Sequence, residues 1–250
     1  MTIPKIIHYV WVGNNKKPRI VQKCIKSWKK YCPDYEIMEW GNEILDEIDV
    51  DYVKEAMEAK KYAFVSDYIR LYVLNKYGGI YLDTDTELTA SIDQFLNLDF
   101  FIGLENWNEI INFNAGLIGV TKNNEKIIKI LKEYENIHFL QSDGSFDMTP
   151  NPQRFCAFFK KEYKFNSMLD IKIPVSFEEN CMIYPWWYFC KAAKNKPNYA
   201  IHHYYASWAP ELRQLKFRDY LFSIIDTEKH RIIRFLGFKF AIKRGIKNEK

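Results

Sequence analysis

The sequence predicts an α/β fold, and three observations predict it. The apolar run Ile6 to Val12 is followed by a helix-spaced segment and then by a second short run, "YEIMEW". That strand–helix–strand order opens a nucleotide-binding α/β unit. A long helical stretch from Tyr52 to Tyr77 then passes through Gly78 and Gly79 into another apolar run, "IYLD". Finally, 48% of the 250 residues are hydrophobic, enough for a sizeable core and too many for a disordered chain.

Taken in order, Ile6 to Val12 is rich in β-branched and aromatic residues and ends at "GNN", which predicts a buried strand and a turn. In "PRIVQKCIKSWKKYCP", Ile20, Val21, Cys24, Ile25 and Trp28 recur at helical spacing, with Pro18 near the start and Pro33 past the end. The stretch Tyr52 to Tyr77 is predicted helical with a break near Lys60; Val65, Ile69, Tyr72 and Val73 share one face, and Asp67 and Arg70 sit one turn apart. Gly78 suits the C′ position. "FFIGLE" and "FNAGLIGV" predict strands, Asn123 to Tyr134 a helix, Phe139 to Phe155 a long surface loop, and "YAIHHYYASW" a late strand running into a loop.

Composition bounds the function. Net charge is +4, but the last 40 residues carry 11 Lys or Arg against 5 Asp or Glu, so the other 210 sum to −2. A nucleic-acid binder would be basic over its body, so no nucleic-acid partner is expected. Aromatics reach 17%, with seven Trp and 17 Tyr; a bulky core accounts for most of them, and rings that stack on flat ligands or sugars suit the rest. The five cysteines, Cys24, Cys32, Cys156, Cys181 and Cys190, are odd in number, widely spaced and without a CxxC pair. Neither a disulfide framework nor a zinc knuckle is expected, and reduced cytosolic thiols fit. No signal peptide and no membrane span is read, so a cytoplasmic location is expected.

The chemistry centres on "YGGIYLDTDTEL", residues 77–88. Residues two apart on a strand point to one side, so Tyr81, Asp83 and Asp85 share a side while Ile80 and Leu82 face the core. Two carboxylates this close repel, and one would hold a proton unless a cation sat between them. Mg²⁺ or Mn²⁺, which favour oxygen ligands, would resolve the repulsion. The carboxyl end of a central strand is where open α/β sheets bind ligands. Two other readings fit the same letters. One is a polar strand end with Asp and Thr in a turn. The other is the Asp-x-Asp-x-Thr pattern of phosphatases, whose first Asp is a phosphorylated nucleophile and whose second is an acid. That pattern requires a later acidic metal site, which the sequence lacks. A non-catalytic sugar-binding module is a third class, suggested by the aromatics.

The neighbouring segments add a resemblance. "IPKIIHYVWVG", "AFVSDYIRLYVLNKYGGIYLDTDTEL", "FNAGLIG" and "AIHHYYASW" occur in the order and roughly the spacing of glycosyltransferase family 32. That family contains bacterial capsule and lipopolysaccharide sugar transferases. Ser66 to Asp85 also resembles the glucosyltransferase domain of the large clostridial toxins. The resemblance spans about residues 3–208 and implies a GT-A type nucleotide-diphospho-sugar transferase fold, a mixed central sheet flanked by helices.

The resemblance also implies roles. Asp83 and Asp85 match the DXD motif, which holds a divalent metal, Mn²⁺ or Mg²⁺, and through it the diphosphate of a UDP-sugar donor. Trp11 matches a tryptophan stacked on uracil, a sensible use of a flat indole, with His8 and Val10 on the same strand. Asp67 and Arg70 match contacts to donor hydroxyls and phosphate, for which a carboxylate and a guanidinium are suited; an i,i+3 ion pair is the structural alternative. Ser66 adds a hydroxyl, Tyr81 lines the pocket and Asn114 touches the transferred sugar or acceptor. His202, with His203 facing the other way, and Ser207 complete the metal shell, and Trp208 closes over the diphosphate. The family retains anomeric configuration, so an α-linked product is implied, and no Asp or Glu of these motifs stands out as a nucleophile. The acceptor is expected to be a saccharide, lipid-linked, in surface polysaccharide synthesis.

Residues 1–210 are thus read as the catalytic domain. Residues 211–250 mix Ile232, Ile233, Phe235, Leu236, Phe238, Phe240 and Ile242 with Lys and Arg, and are expected to form a basic amphipathic helical extension. Such a helix lies on an anionic membrane surface or packs on protein.

Overall fold

In a computed structural model, which describes residues 2–107, 110–165, 171–205, 222–226, 230–235 and 238–243, the first strand, β1 (Ile6–Val10), has a parallel neighbour on each side. These are β2 (Glu36–Trp40) and β3 (Gly79–Leu82). Parallel neighbours need a crossover. Between β1 and β2 it is α1 (Arg19–Tyr31), which buries Val21, Cys24 and Trp28. Between β2 and β3 it is α2 (Asp51–Glu58) and α3 (Tyr62–Tyr77), broken at Lys60, whose φ is 56°. The break lies where the sequence predicts it. Gly78 ends α3 at φ 68°, a value that favours glycine, and a Cβ there would lie 2.6 Å from the Lys122 amide nitrogen.

The chain continues through β4 (Thr86–Leu88), β5 (Phe100–Trp107), β6 (Ile110–Val120), α4 (Glu125–Tyr134) and α5 (Asn151–Tyr163). It then forms β7 (Val175–Glu178), β8 (Cys181–Tyr184), the single turn α6 (Trp186–Phe189) and β9 (Ala200–His202). The seven-stranded sheet has the order β2-β1-β3-β6-β5-β8-β7; β6 runs antiparallel to β3 and β5, and β8 parallel to β5. It is a mixed central sheet flanked by helices, as expected. β4 and β9 form a separate antiparallel pair.

The period of two in β3 sorts its side chains as predicted. Ile80 and Leu82 join one buried layer with Trp28, Phe95, Phe101, Leu117 and Phe189. Tyr81 joins the other, with Ile69, Val73, Ile118, Ile130 and Phe159. The second layer is packed from α3, α4 and α5, and α3 is enclosed on nearly all sides; even its Asp67 and Arg70 are buried.

Two expectations are corrected. The loop read from Phe139 to Phe155 ends earlier, because α5 starts at Asn151; the prolines at 150 and 152 mark a helix start rather than a loop. The expected helical tail is instead β10 (Phe222–Asp226), β11 (His230–Phe235) and β12 (Phe238–Lys243), an antiparallel meander within a second compact unit, Tyr205–Lys250. In "FKFAIK" the large apolar residues Phe238, Phe240 and Ile242 recur at every second position, which is a strand spacing and not a helix spacing. The helical basis of the membrane-surface expectation falls with it. Among the described residues, no helix is long and apolar enough to cross a membrane.

His8, a candidate donor contact or else a hydrogen-bonded core histidine, takes a core position. It is fully buried; its Nε2–H donates to Gly78 O at 2.8 Å and its Nδ1 accepts from Trp40 Nε1 at 3.1 Å. Burial lowers its pKa to about 4, outweighing the Gly78 bond. The unfolded chain, with an ordinary imidazole, therefore takes up a proton between pH 6.5 and about 4 that the folded chain refuses. Stability is full above pH 6.5 and falls by about 3 kcal/mol as pH drops to 4. Urea unfolding across this range checks it: His8→Gln should be less stable at pH 7.5 yet lose less than the parent on acidification.

Candidate metal and donor-binding site

The site forms where β3 ends. The register Ile7–Ile80 and His8–Tyr81 carries both β1 and β3 out of one sheet edge, so Trp11 and the Asp83–Asp85 turn emerge side by side. The turn is closed by Thr86 N–H donating to Asp83 O at 2.8 Å. It is pinned from below by Trp28 Nε1–H, which donates to Thr86 O at 2.7 Å.

β6 supplies the opposite wall. Its pairing with β5 shifts abruptly, Ile102 facing Ile118 and Gly103 facing Asn114, which throws Ala115, Gly116 and Leu117 out of that ladder into a bulge. The bulge aims two carbonyls at the site. Gly116 O accepts from Asp83 N–H at 2.8 Å, and Ala115 O accepts from Arg70 Nη1 at 2.7 Å. Gly116 has a steric role as well. A Cβ there would lie 2.8 Å from Asp83 Oδ2, so the missing side chain leaves room for the carboxylate.

Asp83 Oδ1 is held on two sides. Arg70 Nη2 lies 3.2 Å away and the Tyr81 hydroxyl donates to it at 2.9 Å. Arg70 also reaches Asp67 Oδ1 at 2.9 Å and lies over the Tyr81 ring at 4.6 Å. Asp67 Oδ2 in turn accepts the Asn151 N–H at 3.0 Å, so the carboxylate meets the positive N-terminus of α5. Burial pushes the Asp67 carboxyl up to about 6 against the opposing pull of Arg70, which leaves it ionised at neutral pH. Burial also disfavours charge on Arg70, yet Asp83 and Asp67 raise its pKa overall.

β9 brings the third ligand type. The pairing of Thr86 with His202 sets the imidazole beside Asp85, at 3.3 Å from Nε2 to Oδ1, and His203 N–H donates to Asp85 O. Ligand atoms of Asp83, Asp85 and His202 all lie within 4.8 Å of one another. Two carboxylate oxygens and an imidazole suit Mn²⁺ or Mg²⁺, Mn²⁺ the more readily for its tolerance of nitrogen. The charge balance fits a cation too: burial would lower the His202 pKa, but Asp85, then Asp83 and Glu105, raise it to about 9. Negative charge is in excess around that ring. His203 turns away and pairs with Glu87 at 2.8 Å, so the structure groups His202 with the aspartates.

Several residues expected to touch ligand are engaged within the protein. The Arg70 guanidinium meets Asp67, Asp83, Ala115 O and Ser66, so it braces the site, and the ion pair with Asp67 named as the structural alternative is formed. The Ser66 hydroxyl donates to Ala63 O, Tyr81 is buried beneath Arg70, and Val10 packs in the core. Asn114 is fully buried; its amide donates to Phe189 O at 3.1 Å and accepts the Gly116 N–H at 2.9 Å, bracing the bulge. Trp11 remains partly exposed, its Nε1–H held by Asn15 O at 2.9 Å. Ser207 and Trp208 lie outside the described residues. Sequence reading missed two contributors. Asn151 was hidden in a supposed loop. Glu105 is a lone carboxylate near the end of the apolar run "FFIGLE", a signal that was legible but not used; burial pushes its pKa up to about 7.

Residues 18–102 match the model of the family described as "Glycosyltransferase sugar-binding region containing DXD motif". Over 260 residues the chain is 28% identical to an uncharacterized glycosyltransferase of Acanthamoeba polyphaga mimivirus, covering 97% of this chain and 100% of that one. It is 29% identical over 141 residues to inositol phosphoceramide mannosyltransferase 3 of Schizosaccharomyces pombe, covering 55% of this chain and 38% of that protein. The chain thus spans well under half the length of that yeast relative. Among solved structures, the PaToxG glycosyltransferase is similar at 22% identity and a TM-score of 0.47, over 67% of this chain and 73% of that one.

Removing Arg70 would leave the buried Asp67 carboxylate and the half-buried Asp83 carboxylate without their shared cation. Arg70→Ala is expected to lose about 3–5 kcal/mol of stability, and Arg70→Lys, which cannot fork, a substantial part of that. Denaturant unfolding at pH 7.5 checks both.

Proposed function

We propose that the chain is a metal-dependent glycosyltransferase of the family 32 type, with a GT-A fold, that moves a sugar from a UDP-sugar to a saccharide acceptor. The observation that carries this reading is the convergence of Asp83, Asp85 and His202 within 4.8 Å at the sheet edge from which Trp11 also emerges. The match of residues 18–102 to a DXD-containing sugar-binding region and the glycosyltransferase relatives support it. Asp83, Asp85 and His202 would hold the cation; when bound, it neutralises a diphosphate and stabilises it as a leaving group. Trp11 offers the base a flat apolar face. Arg70 and Tyr81 hold Asp83 aimed, and Gly116 keeps its second oxygen unobstructed. Retention of configuration, a lipid-linked acceptor and a role in surface polysaccharide belong to the same proposal.

The phosphatase alternative is less well supported. It needs a further acidic metal site, and among the described residues Asp83, Asp85 and His202 form the one such cluster. A sugar-binding module would not need a cation cluster beside a base platform.

The test is nucleotide release from a panel of UDP-sugars with and without Mn²⁺. GDP-mannose is included because relatives are named as mannose-transferring proteins. One donor should be consumed in a Mn²⁺-dependent way, and Asp85→Asn should slow that by at least about 100-fold, the loss of several kcal/mol of metal assistance. Phosphate release from monoesters without donor turnover would favour the phosphatase and contradict the proposal.

A further inference from the structure

The two nitrogens of His202 meet different surroundings. Nε2 faces Asp85 and belongs to the carboxylate cluster. Nδ1 is buried and has no hydrogen-bond partner. With Nε2 presented as a lone pair, Nδ1 must carry the proton, and an N–H buried without an acceptor costs about 1–3 kcal/mol. The carboxylate nearest that nitrogen is Glu105, whose Oε2 lies 4.0 Å away. Glu105 sits on β5, 9% exposed, in a strand whose Phe100, Phe101, Ile102 and Leu104 are wholly buried. A lone carboxylate among such neighbours requires a reason, since an uncompensated one is costly. One face of the His202 ring is covered by Tyr204, with ring centroids 4.2 Å apart, which restricts tilting of the imidazole.

We propose that Glu105 is the positioning residue of the cation site: its carboxylate accepts the Nδ1–H of His202 and thereby fixes Nε2 as the metal-facing nitrogen. Closing the gap from 4.0 Å to a hydrogen bond of about 3 Å is a side-chain adjustment of Glu105. A carboxylate behind a metal-binding imidazole orients the ring and raises its basicity, and losing it weakens metal affinity about 10–100-fold. This inference rests on the metal reading above, and it adds that the ligand set depends on a fourth residue contributed by a different sheet. It also gives the buried carboxylate on β5 a partner that the main sheet itself does not supply.

The experiment measures Mn²⁺ affinity by electron paramagnetic resonance on the full chain, without donor. The parent, Asp85→Asn, Glu105→Ala and Glu105→Gln are compared, with unfolding temperature followed in metal-free buffer. Glu105→Ala is expected to bind Mn²⁺ about 10–100-fold more weakly while staying folded. Glu105→Gln, whose amide oxygen still accepts a hydrogen bond, should recover part of the loss and serves alone if the alanine variant fails to fold. In a ¹⁵N spectrum with Mg²⁺, the parent should show His202 protonated at Nδ1, with the signal broadened or exchanged between tautomers in Glu105→Gln. A variant that binds Mn²⁺ within about threefold of the parent, with an unchanged tautomer, overturns the inference while leaving the metal reading intact. A parent that binds no Mn²⁺ more tightly than Asp85→Asn overturns the metal reading itself.

Discussion

The structure around the site depends on one buried guanidinium. Arg70 ties α3 to the end of β3 through Asp83, to the bulge of β6 through Ala115 O, and to the start of α5 through Asp67 and Asn151. A positive charge enclosed this way is tolerable only because two carboxylates and a tyrosine face surround it. The consequence is mutual. Asp83 is held in a fixed orientation beside a second aspartate, an arrangement that repulsion between two carboxylates would otherwise disfavour. The ion pair therefore specifies a geometry more than it adds stability.

The other half of the site comes from backbone irregularities. A straight β6 would keep its carbonyls in the ladder; the bulge frees Ala115 O for Arg70 and Gly116 O for the Asp83 amide. The short pairing of β4 with β9 then returns the chain from far along the sequence to lay His202 beside Asp85. Strand end, bulge and ribbon are all local departures from a regular sheet, and they meet at one edge. Such sites gather where a rigid scaffold ends.

Much of this was legible in the letters. The period of two in "IYLD", the helix break near Lys60 and the cap at Gly78 follow from spacing and from glycine. Pairing Asp83 with Asp85 as metal ligands, and adding His202, needed the family resemblance, because "DTD" alone also spells a turn or a phosphatase. What stayed hidden was how side chains are spent. The i,i+3 pair of Asp67 and Arg70 is legible as an alternative, but nothing in the sequence tells that Arg70 also reaches Asp83 and Ala115 O, that Asn114 braces a bulge, or that Trp40 donates to His8, since each depends on contacts between distant segments. The tail differs for another reason: a high apolar and basic content suits a helix or a strand alike, and only the spacing of Phe238, Phe240 and Ile242 favours the strand.

The central claim is that Asp83, Asp85 and His202 converge on one divalent cation. Electron spin echo modulation of the Mn²⁺-loaded protein tests it most directly. The account predicts coupling to a single imidazole nitrogen, lost in His202→Ala and kept in His203→Ala. Coupling that survives in His202→Ala, or that is absent from the parent, would contradict it.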